Sequence, residues 1–120
     1  MPLPSETATQ APVYKCNVIN LLPEENAKIR REQAFKIKFL LVNNGFTVWP
    51  EDLELVLASD PGPTLVSTFK PLKVPRVQPG DSFIVGPLEA QAPKTVGKYV
   101  ISFQLGDGWC WPYVAFEVVK

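Results

Sequence analysis

Residues 35–50 constrain the fold more than any other stretch of the chain. The alternation of large apolar residues with lysines in its first half predicts a β-strand with one buried and one exposed face. The alternation stops at Leu40 and Val42, so we expect the outer face to be covered near the end of the strand. Asn43, Asn44 and Gly45 tolerate positive φ and predict a chain reversal. The inward residues are Phe35, Ile37, Phe39 and Leu41.

The composition favours a domain made of many short strands. The 120 residues are 46% hydrophobic, which suits one globular domain. Thirteen prolines leave little room for long helices. We therefore expect an all-β, antiparallel β-sandwich of about seven strands over residues 13–120, with residues 1–12 as a disordered tail or linker. The strands are expected at 13–19, 35–42, 53–57, 65–69, 82–85 or as far as 88, 99–105 and 109–119, with a short edge strand at 27–30.

The expected core is built on the inward faces of these strands, and Trp49 packs over it from just behind the reversal. Tyr99, two residues after Gly97, matches the tyrosine corner of β-sandwiches. Prolines 71, 75 and 79 predict an irregular crossing between strands. The core list is Phe35, Ile37, Phe39, Trp49, Leu55, Tyr99, Ile101 and Phe103.

Charge and segment patterns exclude several classes of partner. Lys plus Arg and Asp plus Glu both total 12, whereas a nucleic-acid binder is expected to be basic, so we predict no nucleic-acid partner. No apolar run is long enough to cross a bilayer, so no membrane insertion is expected. The N-terminus lacks a secretory pattern, which predicts a cytoplasmic protein in which Cys16 and Cys110 are reduced.

The residues needed for catalysis or cofactor binding are missing from the sequence. The chain contains no histidine, its two cysteines cannot form a four-ligand zinc site, and it has no glycine-rich phosphate loop. Glu51, Asp52 and Glu54 are interpreted as an exposed acidic loop rather than a calcium site. We therefore predict a protein that is not an enzyme and has no cofactor and no metal.

Aromatic residues are the remaining candidates for function. Strand alternation would place Trp109, Trp111 and Tyr113 on one face, where they either close the core or form a binding patch. Phe46 lies at the tip of a turn, where a core position is hard to arrange. The predicted partner-binding residues are Phe46, Trp109, Trp111 and Tyr113.

Several motifs, in order, resemble the four-tryptophan (FW) domain of the "next to breast cancer one" family of selective-autophagy receptors. The family pattern W-x-x-x-N-T-G-x-x-x-W-P is similar to residues 39–50, and a later Pro-Gly turn, A-P-x-x-x-G-x-Y and aromatic-Pro are also present. The chain is divergent, since only Trp49 of the four tryptophans stands in place. The resemblance implies an immunoglobulin-like fold and a module that binds protein cargo or cytoskeletal partners.

Three functions remain open at this point. The chain is expected to bind a protein or peptide partner. The alternatives are a structural domain that packs within a larger assembly and a carbohydrate-binding sandwich. A planar row formed by Trp109, Trp111 and Tyr113 would favour sugar, whereas a groove or an open strand edge would favour a peptide.

Overall fold

The computed structural model describes residues 13–66 and 69–120, and the predicted tail at 1–12 lies outside them. Among these residues, no helix is a candidate for a membrane span. They form eight strands, numbered in chain order. These are β1 (Asn17–Leu22), β2 (Ala27–Arg30), β3 (Ala34–Val42), β4 (Leu53–Ser59), β5 (Leu72–Val74), β6 (Ser82–Gln91), β7 (Gly97–Leu105) and β8 (Tyr113–Val119).

The strands form two sheets with the core between them. One sheet has the order β1-β3-β6 and the other β2-β8-β7-β4-β5. The predicted all-β sandwich is confirmed. Its expected antiparallel pairing holds except for β2, which runs parallel to β8 from Ala27 beside Phe116 to Arg30 beside Val119. A short strand that enters from the opposite sheet can take either direction at an edge, and the sequence pattern does not encode which.

The inward faces of β3, β4 and β7 supply the centre of the core. Six of the eight predicted core residues are buried, and Ile37, Phe39 and Trp49 have no exposed surface. Phe35 and Tyr99 are partly buried and pack against the core from its margin. Both rings lie against Phe116, at centroid distances of 5.2 and 5.8 Å.

The predicted tyrosine corner is present. The Tyr99 hydroxyl donates a 2.7 Å hydrogen bond to the carbonyl oxygen of Thr95, four residues upstream. This bond ties the start of β7 to the connection that precedes it.

The middle of the chain departs from the predicted strand pattern. The strand expected at 65–69 is wrong where it is described, because Leu65 makes only an isolated bridge to Ala90 and Phe69 lies outside any strand. Instead, β5 lies in the stretch predicted to be an irregular crossing. Its position at the edge of the sheet explains why nearby prolines are tolerated, since an edge strand uses only one side for pairing.

Side chains of the neighbouring strands explain why the apolar–polar alternation fails near the end of β3. On the outer face of the three-stranded sheet, Leu40 lies between Ile19 of β1 and Ile84 of β6. Leu40 is half-buried while its two neighbours are exposed. The apolar side chains therefore cover one another in a row across the strands.

Candidate functional site

Two chain connections meet at one end of the sandwich, which we call the loop end. They are the β3–β4 connection at 43–52 and the β7–β8 connection at 106–112. The amide of Gly106 donates to the carbonyl oxygen of Glu54 at 3.1 Å, and the rings of Trp49 and Trp109 lie 5.6 Å apart. Residues 13–16 join them there, so the loop end is defined by these three segments.

Asn43 holds the β3–β4 connection from inside. Its side chain is fully buried, and its Nδ2 donates to the carbonyl oxygens of Thr47 at 2.9 Å and Val77 at 2.8 Å. Its Oδ1 accepts from the amide of Gly45 at 3.0 Å, as in an Asx turn. None of Asn43, Asn44 and Gly45 has positive φ, so the expected mechanism of the reversal was wrong. The side chain of Asn43 directs the turn.

Trp49 connects this loop to the N-terminal segment. The indole is fully buried, and its Nε1 donates to the carbonyl oxygen of Lys15 at 3.0 Å. Gly45 also lies against Lys15, since a Cβ atom at position 45 would be 3.2 Å from the Cβ of Lys15. Residues 13–16 are therefore pressed against the β3–β4 connection.

Cys16 and Cys110 form a disulfide, so the expectation that both are reduced was wrong. Their Cα atoms are 5.9 Å apart, within the usual range for a bridge. The residues are separated by 94 positions in the sequence, and only the folded sheets bring β1 and the β7–β8 connection together. The bridge fixes residues 13–16 to the β7–β8 connection, which we call the hairpin. Trp49 fixes the same residues to the β3–β4 connection.

Phe46 extends into solvent from this braced connection. The residue is 97% exposed, although Gly45 before it is buried and Thr47 and Val48 after it are partly buried. Among the described residues, no aromatic contact joins Phe46 to Trp109, Trp111 or Tyr113. Phe46 lies outside the core, in line with the expectation that a core position is hard to arrange at the turn tip, and its role in binding stays a prediction.

The three rings of the hairpin do not form the row expected from strand alternation. The amides of Leu105 and Phe103 donate to the carbonyl oxygens of Cys110 and Pro112, so the pairing with β7 begins ahead of β8. Alternation holds from Cys110 onward, since Trp111 and Tyr113 are exposed between buried neighbours, and Trp109 departs from it. Trp109 turns inward against Tyr14, at a centroid distance of 5.4 Å. Trp111 stays 54% exposed, and its Nε1 donates to the carbonyl oxygen of Gly108 at 2.8 Å.

Tyr113 begins β8 and faces outward from the five-stranded sheet, with 49% of its surface exposed. It lies beside Ser102 of β7. The structure therefore divides the predicted binding residues. Trp109 packs inside the loop end, Trp111 and Tyr113 lie on the hairpin and the adjoining sheet face, and Phe46 lies on the other connection.

Sequence reasoning missed a groove at the loop end. Tyr14 and Trp109 line it together with the acidic loop after Trp49 and with Asp107 of the hairpin. Asp107 is far from that loop in sequence, and Tyr14 had been assigned only to a strand. Within residues 13–66 and 69–120, no group of acidic or cysteine side chains has the arrangement needed to hold a metal ion.

The sequence of this domain matches a known protein family over most of its length. A family model described as the Ig-like domain from next to BRCA1 gene matches residues 23–109. The chain belongs to this family. The match covers almost three quarters of the sequence and includes the Asn43 turn, Trp49 and Tyr99. No curated protein matches the chain at the significance required of a relative.

The family assignment confirms the resemblance and the immunoglobulin-like fold. Membership of this family indicates a protein-interaction module. Ig-like β-sandwich domains of this kind are typically non-catalytic. The matched segment ends at Trp109, so Trp111 and all of β8, including Tyr113, lie beyond it.

Proposed function

We propose that this domain is a non-catalytic module that binds a protein or peptide through its loop end. The single observation that carries the proposal is Phe46, a large apolar side chain that is 97% exposed on a connection fixed from inside. An exposed ring costs free energy in water, and a partner that covers it recovers that free energy.

The construction of the connection supports this role. Asn43 and Trp49 are both fully buried on either side of Phe46. Their hydrogen bonds to Val77 and Lys15 restrict the backbone that carries the ring. A connection whose backbone is already ordered loses little backbone entropy on binding, and recognition commonly resides in loops on a rigid scaffold.

Trp111 and Tyr113 extend the proposed surface. Both rings are about half exposed, and both residue types are frequent in binding hot spots. The hydrogen bond from Nε1 of Trp111 to the carbonyl oxygen of Gly108 restricts the indole itself, whereas the Asn43 turn restricts the backbone that carries Phe46. The surface therefore has two anchoring regions, one on each connection.

The geometry lends less support to the sugar-binding alternative. A sugar platform was expected to use Trp109, Trp111 and Tyr113 as a planar row, but Trp109 packs against Tyr14 and Trp49. Among protein partners, the family resemblance suggests cargo or cytoskeletal proteins such as those bound by selective-autophagy receptors. Cytoplasmic location stays a prediction, and the disulfide is the feature that weighs against it.

The test is a selection of random peptides of about twelve residues on the immobilised domain. Selected peptides are then titrated against Phe46→Ser and Trp111→Ser, with Val96→Ser as the matched control because Val96 is an exposed apolar residue away from the loop end. We expect at least about tenfold weaker binding for Phe46→Ser and unchanged binding for the control. If no peptide is enriched, or if all three variants bind like the parent, the proposal is wrong.

A further inference from the structure

The groove beside Trp109 joins apolar walls to an acidic rim. The walls are the rings of Tyr14 and Trp109 with Pro50, Leu53 and Val56. Tyr14 and Trp109 are each partly exposed, and their centroids are 5.4 Å apart at an interplanar angle of 36°. Two tilted rings of this kind can contact a flat cation or an aliphatic side-chain stem.

The rim carries negative charge on both sides of the groove. Four of its lining residues are carboxylates and none is Lys or Arg. Three of them follow Trp49 in the β3–β4 connection and β4, and one comes from the hairpin. The four are Glu51, Asp52, Glu54 and Asp107.

Most of this charge is not neutralised within the domain. Glu51 accepts from Arg76 at 3.5 Å, and both side chains are exposed. Among the described residues, Asp52, Glu54 and Asp107 make no ion pair. Lys73 lies beside Glu54 in the β4–β5 register, and Lys15 follows Tyr14 in the chain, but neither lines the groove. The groove therefore keeps an excess of negative charge although the whole chain has a net charge of zero.

The backbone conformation sets where Asp52 and the hairpin beside the groove lie. Asp52 has a φ of 58° and Gly106 a φ of 60°. A side chain at Gly106 would place its Cβ 2.8 Å from Nε1 of Trp109 and 2.9 Å from Leu53. The glycine therefore permits the hairpin to close against the groove and brings Asp107 opposite the acidic loop.

We propose that this groove binds a basic segment of a protein partner, with Lys or Arg side chains lying along the rings of Tyr14 and Trp109 and their charged groups at the acidic rim. The inference rests on the proposed function, because it names the chemistry of the partner for the same end of the domain. Arginine fits best, since its planar guanidinium stacks on rings and binds carboxylates through two hydrogen bonds.

The test measures binding of fluorescein-labelled hexa-arginine, with hexa-glutamate as the charge-reversed probe. The groove variant removes charge and keeps shape, and asparagine tolerates the positive φ at position 52. The control variant removes equal charge outside the groove. The groove variant combines Asp52→Asn, Glu54→Gln and Asp107→Asn, and the control combines Glu24→Gln, Glu25→Gln and Glu117→Gln.

We expect hexa-arginine to bind the parent, hexa-glutamate not to bind, and the groove variant to bind hexa-arginine at least tenfold more weakly. The control variant should bind within about twofold of the parent, and the loss should persist at physiological salt, where long-range attraction is screened. Tyr14→Leu, which keeps an apolar wall without the ring, should also weaken binding severalfold.

Two results would overturn the inference. Equal weakening by the groove and control variants, or no binding of hexa-arginine, removes the groove as a site for basic segments. Head-to-tail association of the domain, seen in sedimentation velocity and abolished by Arg30→Gln with Arg31→Gln, would make a second copy the occupant instead. The peptide selection that depends on Phe46 is independent of these results, so its outcome separates failure of the groove from failure of the proposed function.

Discussion

The two ends of the sandwich differ in the side chains that they bury and expose. At the loop end, the amide of Asn43 is fully buried and the ring of Phe46 is exposed. At the far end, formed by residues 30–33, 93–96 and Lys120, the exposed side chains are mostly charged, with Arg30 and Arg31 among them. Backbone bonds close the far end, such as that from the Arg31 amide to the carbonyl oxygen of Val119 at 2.9 Å.

This difference supports the proposal of a recognition surface at the loop end. An exposed charge and a buried apolar group are the usual arrangement for a folded domain. The buried amide of Asn43 stabilises the turn through its hydrogen bonds, whereas the exposed ring of Phe46 adds nothing to the core. The loop end therefore has the features of a recognition surface, and the far end has those of a solvated rim.

The largest expected effect is the loss of Trp49, which supports the loop end from below. Trp49→Ala removes a fully buried ring and the bond to the carbonyl oxygen of Lys15. We expect unfolding free energy to fall by about 3–5 kcal/mol in urea titrations followed by circular dichroism. A loss below about 1 kcal/mol would show that the ring is not packed as described.

Next in size is the loss of the disulfide, which ties residue 16 to residue 110. Cys16→Ala with Cys110→Ala opens a loop of 94 residues, and we expect a loss of about 2–5 kcal/mol. Thiol titration of the unfolded, unreduced protein should find no free thiol. Two free thiols, together with unchanged stability of the double variant, would contradict the bridge.

A smaller loss of stability is expected when Asn43 is replaced. Its side chain makes hydrogen bonds to backbone groups in and beside the turn. Asn43→Ala leaves the Gly45 amide and the carbonyl oxygens of Thr47 and Val77 without this partner. The expected cost is about 2–4 kcal/mol. The matched control is Asn44→Ala, an exposed neighbour that should change stability by less than about 0.5 kcal/mol. Equal effects of the two variants would remove the special role of Asn43.

The smallest effect on stability is expected at Phe46. Because the ring is 97% exposed, Phe46→Ser should alter the free energy of unfolding by less than about 0.5 kcal/mol. Chemical denaturation measures this directly, with Val96→Ser as the control from the far end. A loss above about 2 kcal/mol would mean that the ring packs within the domain, and the comparison of the two ends would fail.

Sequence periodicity predicted the parts of the fold that depend on local pattern. The alternation in β3 located Ile37 and Phe39 in the core, and the Gly97–Tyr99 spacing located the tyrosine corner. It could not predict β5, since a three-residue edge strand beside prolines has too little periodicity to detect. It also missed the parallel pairing of β2, which depends on where the chain crosses between sheets.

The candidate site was predicted less completely than the fold, because it depends on contacts between distant segments. The exposure of Phe46 followed from its place at a turn tip. The inward position of Trp109 did not, because it requires Tyr14 and the disulfide to lie across the hairpin. The opposition of Asp107 to the loop at 51–54 likewise exists only after the connections meet.

The central claim is that partners bind at the loop end, and nuclear magnetic resonance tests it most directly. Amide shifts of the 15N-labelled domain are recorded while a selected peptide is added. We expect the perturbed amides to concentrate at residues 43–52 and 106–113, with residues 30–33 and 93–96 of the far end unchanged. Perturbation centred instead on the far end, or on the outer row of Ile19, Leu40 and Ile84, would contradict it.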